Sequence, residues 1–255
     1  MDKINQFSIQ RFILLIKRQI LLNAKNWLVG LGAIAGILII VSLLQSYLGK
    51  SFNLPAMVNL GITLIFVVGY MLTSGIYSEI HTPARSQFYL TLPATTAEKL
   101  FSNWAITSLL YVLISFILLS LSIALTSLLA SLLFGTQTAF FNPFQPDYLK
   151  VMGVFVVTHS IFFLGSLYFR KNNFLKTVLA IFILVMALSM IGGLLMYLLF
   201  EPGLNNIELS NQQLDPAMQR LFEETIPQIA RIIFWAVLAP FFVLVSYFKL
   251  KEREV

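Results

Sequence analysis

Residues 27–48 read WLVGLGAIAGILIIVSLLQSYL, an unbroken apolar run without one charged side chain. A helix that crosses a hydrocarbon core of about 30 Å needs about 20 such residues. A surface helix of a water-soluble domain would show a polar face instead. The run therefore reads as a transmembrane helix, and five more follow it. They lie at about Ala56–Tyr77, Trp104–Phe134, Val151–Phe169, Thr177–Phe200 and Ile229–Phe248. The third exceeds what a span requires and is expected to tilt or to continue beyond the bilayer. The first begins too far into the chain, and lacks the small-residue site, for a cleaved signal peptide, so it is expected to stay in the membrane.

Composition agrees with this reading. Of 255 residues 58% are hydrophobic and only 11% charged, with a mean hydropathy of +0.84. A soluble domain carries about 25% charged residues. The absence of cysteine excludes disulfides and thiol chemistry. The net charge of +6 is not taken as a sign of nucleic acid, because excess Lys and Arg in a membrane chain set its orientation and meet anionic lipid. With the N-terminus inside, thirteen of the 17 cations fall in one set of connections and four, Lys50, Lys150, Arg220 and Arg231, in the other. That bias predicts an all-α integral membrane protein of six transmembrane helices, with both termini cytoplasmic. The whole of 1–255 is one transmembrane domain in a cell membrane, expected to be a prokaryotic cytoplasmic membrane.

Three connecting segments carry more pattern than a tether needs. In 1–26, Arg11, Arg18 and Lys25 recur every seven residues on one helical face, while Ile9, Ile13, Ile16 and Ile20 gather on the other. This predicts an amphipathic helix lying in the cytoplasmic interface; a plain extension of the first span is the alternative. The connection 78–103 reads SEIHTPARSQFYLTLPATTAEKLFSN. Pro83 and Pro93 delimit a short segment, Ala84–Thr91, and Thr95 with Glu98 has the spacing of a capping box. A short helix, a break and a second helix leading into the third span are expected. The outer connection 201–228 is acidic, and Asp215-Pro216 followed by Ala217, Met218, Leu221 and Phe222 predicts a short amphipathic helix.

Catalytic patterns are missing. The sequence has no phosphate-binding loop, no zinc-binding histidine cluster and no paired carboxylates within a span, so no catalytic or metal site is expected. His159 is the ionisable residue deepest in a span. It is either a functional group or a neutral imidazole hydrogen-bonded to a neighbouring helix. Ser115 and Ser122, on the hydroxyl-rich face of span three, either line a substrate path with His159 or bond their own helix backbone. Gly32 and Gly36 form a small-residue pair in span one that serves packing within the chain or between chains. Gly192 and Gly193 predict a kink or a close helix contact in span five.

This organisation resembles the permease subunits of ABC transporters of the type-2 exporter family. The resemblance spans nearly the whole chain as architecture, and its most specific stretch is the cytoplasmic loop. There Glu79 follows span two, then Leu90-Thr91-Leu92-Pro93-Ala94-Thr95-Thr96, then Glu98-Lys99 leads into span three. The resemblance implies that two permeases, identical or not, pair with two ATPase subunits docked around Thr82–Gln87. It makes Glu79, Thr82, Pro83, Arg85, Ser86, Gln87, Glu98 and Lys99 the coupling-loop residues. It also implies that ATP and magnesium belong to the partner and that this chain holds no cofactor. Spans without charge fit an apolar or amphiphilic cargo. Two other classes compete: a membrane scaffold that binds a partner through the same loop without transport, and a stand-alone secondary transporter or channel. The missing membrane carboxylates and internal repeats count against the latter.

Overall fold

The computed structural model describes residues 6–49, 51–204 and 220–254. All six apolar runs are helical, and six helices are long and apolar enough to cross a membrane. They are α1 (Ile9–Gly49), α2 (Leu54–Gly75), α4 (Thr96–Phe134), α5 (Pro146–Tyr168), α6 (Asn173–Leu204) and α7 (Glu223–Lys251). A short helix, α3 (Pro83–Leu90), lies in the connection between α2 and α4. No strand occurs among the described residues.

Local chemistry accounts for most of the boundaries. The Asn53 side chain accepts from the Ala56 N–H and starts α2. Pro83 sits at the start of α3, where its missing N–H costs nothing. The capping box expected at Thr95 is formed: Thr95 Oγ1 accepts from the Glu98 N–H and the Glu98 carboxylate accepts from the Thr95 N–H. The helix it starts runs unbroken for 39 residues and includes a π-helical turn at Ile106–Leu110. Gly135, at φ 69°, ends it in the left-handed conformation that glycine adopts without strain. The predicted cap at Asp215-Pro216 lies outside the described residues.

One element differs from expectation. The amphipathic N-terminal segment and the first span form a single helix of 41 residues, about 60 Å long and twice the hydrocarbon thickness. The interfacial segment is thus the first part of α1 and not an element of its own. The junction Ala24-Lys25-Asn26-Trp27 contains neither Gly nor Pro, so nothing there interrupts the backbone ladder.

Two apolar cores hold the bundle. The larger joins Ile34 and Leu38 of α1, Val58 and Ile65 of α2, and Phe116, Leu119 and Ile123 of α4, with Phe155 of α5. The second lies at one end and gathers Tyr77, Ile80, Tyr89, Leu100, Phe163, Leu167 and Leu250. Helix crossings depend on glycines that the sequence did not single out. At Gly69 a Cβ would stand 2.5 Å from the Tyr111 ring and 2.6 Å from Phe155, and at Gly165 it would strike Thr177. Gly32, Gly36, Gly192 and Gly193 meet nothing within 4 Å. They make no close contact among the described residues, and α6 runs through Gly192-Gly193 without interruption. The described part of α6 is exposed along its outer side, as suits a helix facing lipid or another chain.

Candidate functional site

The second core carries a dense set of charges on its polar side. Arg11 and Arg18 lie seven residues apart on α1 and so project from one face. Arg11 reaches Glu98 at the start of α4, with Nη2 donating to Oε1 at 2.9 Å and Nε donating to both oxygens at 3.2 Å. The Glu98 carboxylate also accepts from the Ser8 and Thr95 backbone N–H groups and is 0% exposed. Arg18 forks onto Glu79, its two Nη atoms donating at 3.0 and 3.1 Å. Paired donors on a planar guanidinium fix orientation as well as distance. The polar face of the first part of α1 is thereby bolted to both ends of the 78–103 connection.

The chain's C-terminal end is tied in as well. Lys99, 2% exposed, donates to Glu254 at 2.9 Å and to the Leu90 carbonyl at 3.0 Å. That second bond satisfies the last carbonyl of α3. Glu254 also accepts from the Thr96 hydroxyl. Arg253 donates to the Leu167 carbonyl at 3.0 Å, and its other Nη lies 3.4 Å from His81 Nδ1. His81 Nε2 is 2.7 Å from the Ser166 carbonyl. A carbonyl only accepts, so Nε2 carries the proton and Nδ1 accepts from Arg253.

Burial, the bond to Ser166 notwithstanding, holds the His81 imidazole below its ordinary value, and the cations of Arg253 and Arg170 push the same way. In the unfolded chain the ring titrates near pH 6.5. Below that value the unfolded chain takes up a proton that the folded chain resists, so stability falls as pH drops. Unfolding in mixed detergent–SDS micelles is expected to show this loss as pH falls through the ordinary imidazole range. His81→Gln should flatten the slope; an unchanged slope would contradict the assignment.

On this frame sits α3, with its two faces in contrast. Tyr89 points inward, 2% exposed, and takes a hydrogen bond from Asn103 at 3.1 Å. Its ring packs edge-on to Tyr77, with Arg18 and Lys99 each 5.8 Å from its centre. Arg85 and Phe88, one turn apart, point outward. Arg85 is exposed and its side chain makes no hydrogen bond or ion pair among the described residues, and Phe88 is 75% exposed. Thr82, Pro83 and Gln87 share the exposed surface, while Ser86 is half-buried and its hydroxyl donates to the Pro83 carbonyl.

The residues that the resemblance would place in a coupling loop therefore separate into two groups. Glu79, Glu98 and Lys99 face inward and are engaged within the chain; Thr82, Pro83, Arg85 and Gln87 are presented outward. Phe88 was missed by sequence reasoning, although an aromatic pair, Phe88-Tyr89, in a short polar helix was the available signal, since one of the two must face out.

The candidate substrate-path residues are enclosed. His159 and Ser115 are 0% exposed and Ser122 5%. His159 Nδ1 faces the Val156 carbonyl and Nε2 lies 3.1 Å from the Thr107 hydroxyl, among the rings of Trp104, Phe155 and Phe163. Ser115 donates to the Tyr111 carbonyl, and the Ser122 carbonyl accepts from Thr126. Among the described residues no group of three or more His, Asp or Glu side chains is placed to hold a metal. Comparisons of the chain with protein-family models, with curated proteins and with solved structures each returned no match.

Proposed function

We propose that this chain is the membrane-spanning permease subunit of an ATP-driven exporter, in a cytoplasmic membrane, and that α3 is where its ATPase docks. The observation that carries the reading is the outward pairing of Arg85, whose side chain has no partner among the described residues, with a 75% exposed Phe88 on a helix anchored by Tyr89. An exposed aromatic beside a free guanidinium, at the basic end of the bundle, is the composition of an interface hot spot. Lipid does not explain it, since a helix carrying Arg85, Ser86 and Gln87 in eight residues belongs in water.

The ion pairs around α3 support a coupling role. Force applied to α3 passes through Glu79 and Arg18, and through Glu98 and Arg11, into the 41-residue α1. It also passes through Lys99 and Glu254 to the end of α7. A second permease, identical or not, would complete the pathway, with the uncrowded small-residue faces at Gly32 and Gly193 available to a neighbouring chain. An apolar or amphiphilic cargo suits walls without charge, and ATP with its magnesium is assigned to the partner.

Co-expression of the tagged chain with the ABC ATPases of its source genome tests this. One of them is expected to co-purify, and the pair in liposomes is expected to hydrolyse ATP at a rate that rises with cargo. Recovery of no ATPase would move the assignment to a scaffold or channel, and an ATPase bound without stimulated hydrolysis would favour the scaffold.

A further inference from the structure

Between the end of α2 and the α5–α6 turn lies a cavity of about 590 Å³. Its polar wall carries Arg170 and Lys171, and Ser78 and His81 stand across from them. Met71, one turn and more deeper along α2, and Leu175, on the first turn of α6, form its apolar wall, and both are exposed, at 54% and 64%. Among the described residues no Asp or Glu lines it. Arg11, Arg18 and Lys99 are neutralised by carboxylates, whereas Arg170 and Lys171 make no hydrogen bond or ion pair among the described residues.

The turn that presents these cations is held in place. Asn172 adopts the left-handed conformation at φ 53°, and the Asn173 side chain donates to the Ser74 carbonyl at 3.1 Å, pinning the turn to α2. The first helical bond of α6 runs from the Lys176 N–H to the Asn172 carbonyl. The N–H groups of residues 173–175, which line the cavity, therefore have no acceptor in the helix. Two cations whose side chains have no partner among the described residues, together with backbone donors and hydroxyls, line this space at the first turn of α6, a helix long and apolar enough to cross a membrane.

We propose that this cavity binds a phosphate group, and that the phosphodiester of an anionic lipid in the adjoining leaflet is its source. The apolar wall distinguishes a lipid from soluble phosphate: Met71 and Leu175 continue the cavity onto the exposed apolar side of α6, where acyl chains would lie. Thr82 at the start of α3 borders the cavity, but the two cations and the apolar wall lie on α2, in the α5–α6 turn and at the start of α6, so variants of Arg170 and Lys171 leave Arg85 and Phe88 intact and the two assignments fail separately.

The test uses the full chain in neutral detergent micelles with fluorescent phosphatidylglycerol and fluorescent phosphatidylcholine as probes. The wild type is expected to prefer phosphatidylglycerol. Arg170→Gln with Lys171→Gln should weaken phosphatidylglycerol binding about 30-fold, which corresponds to about 1 kcal/mol of attraction per cation at 1.4 kcal/mol per tenfold, and leave phosphatidylcholine unchanged. Both residues are exposed and unengaged, so the variant should fold. Lys150→Gln with Arg231→Gln, which removes the same charge elsewhere, should have no such effect. Equal binding of the two lipids by the wild type, or equal losses in the two variants, would overturn the proposal. Displacement of the lipid by an equal concentration of inorganic phosphate would overturn the lipid assignment in favour of a soluble phosphate.

Discussion

Arg85→Glu combined with Phe88→Asp is expected to weaken binding of the proposed ATPase partner about a thousandfold while leaving membrane levels of the chain unchanged. The figure follows from two hot-spot side chains at about 2 kcal/mol each, with every 1.4 kcal/mol a factor of ten. Neither side chain supports its own fold: Arg85 is exposed without a partner among the described residues, and Phe88 is 75% exposed. The anchor of α3 is Tyr89 on the opposite face, and it is untouched. Charge reversal is chosen because it sets repulsion against a partner carboxylate where simple truncation would only lose a contact. The single variants separate the contributions. Arg85→Glu alone should show a salt-dependent loss, and Phe88→Asp alone a loss that salt barely alters. Pull-down by the tagged chain at low and high salt reads both. Undiminished recovery of the ATPase by the double variant would place docking off α3.

How far the sequence carried these conclusions depended on the range of the interaction. Spans and caps are local: a charge-free run of about 20 residues or a Thr and a Glu three apart is visible without knowing the fold, and both were read correctly. The continuity of α1 was legible but misjudged. The change of pattern at Trp27 drew a boundary, while the absence of Gly or Pro in 24–27 allowed none. The ion pairs were not legible at all. Arg18 and Glu79 stand 61 residues apart in sequence, and Arg11 and Glu98 stand 87 apart. The seven-residue repeat of cations shows that a face exists and cannot say that it is aimed at a carboxylate of the same chain. Without that partner, Glu79, Glu98 and Lys99 looked as available as Arg85. The glycines teach the same lesson. Gly32 and Gly36 have the spacing of a packing motif, yet the rotation of α1 points them away from the bundle. Gly69 and Gly165, with no motif, stand where helices cross.

Glu98→Ala is expected to be the most damaging single substitution outside the apolar cores, at about 3 kcal/mol, the low end for breaking a buried ion pair. The carboxylate is 0% exposed, and losing it strands three sets of donors at once: the Arg11 guanidinium and the backbone N–H groups of Ser8 and Thr95. Arg11 is 26% exposed and recovers part of its hydration, which keeps the cost at that end of the range. Glu98→Gln keeps an acceptor for the backbone donors and should cost about half as much. Arg18→Ala provides the contrast, since the Arg18–Glu79 pair is partly solvated at 29% and 17% exposed and should cost at most about 1 kcal/mol. Unfolding in mixed detergent–SDS micelles gives the ranking, and a cycle with Arg11→Ala isolates the coupling between the two charges. A cost for Glu98→Ala no greater than for Arg18→Ala would refute the view that this carboxylate is the main fastening of the α1 extension. The functional consequence is specific. The α3 surface is intact in Glu98→Ala, so the ATPase should still bind, but motion of α3 no longer reaches α1 through α4. Binding without cargo-stimulated hydrolysis is the outcome that identifies Glu98 as a mechanical joint and not as part of the docking surface.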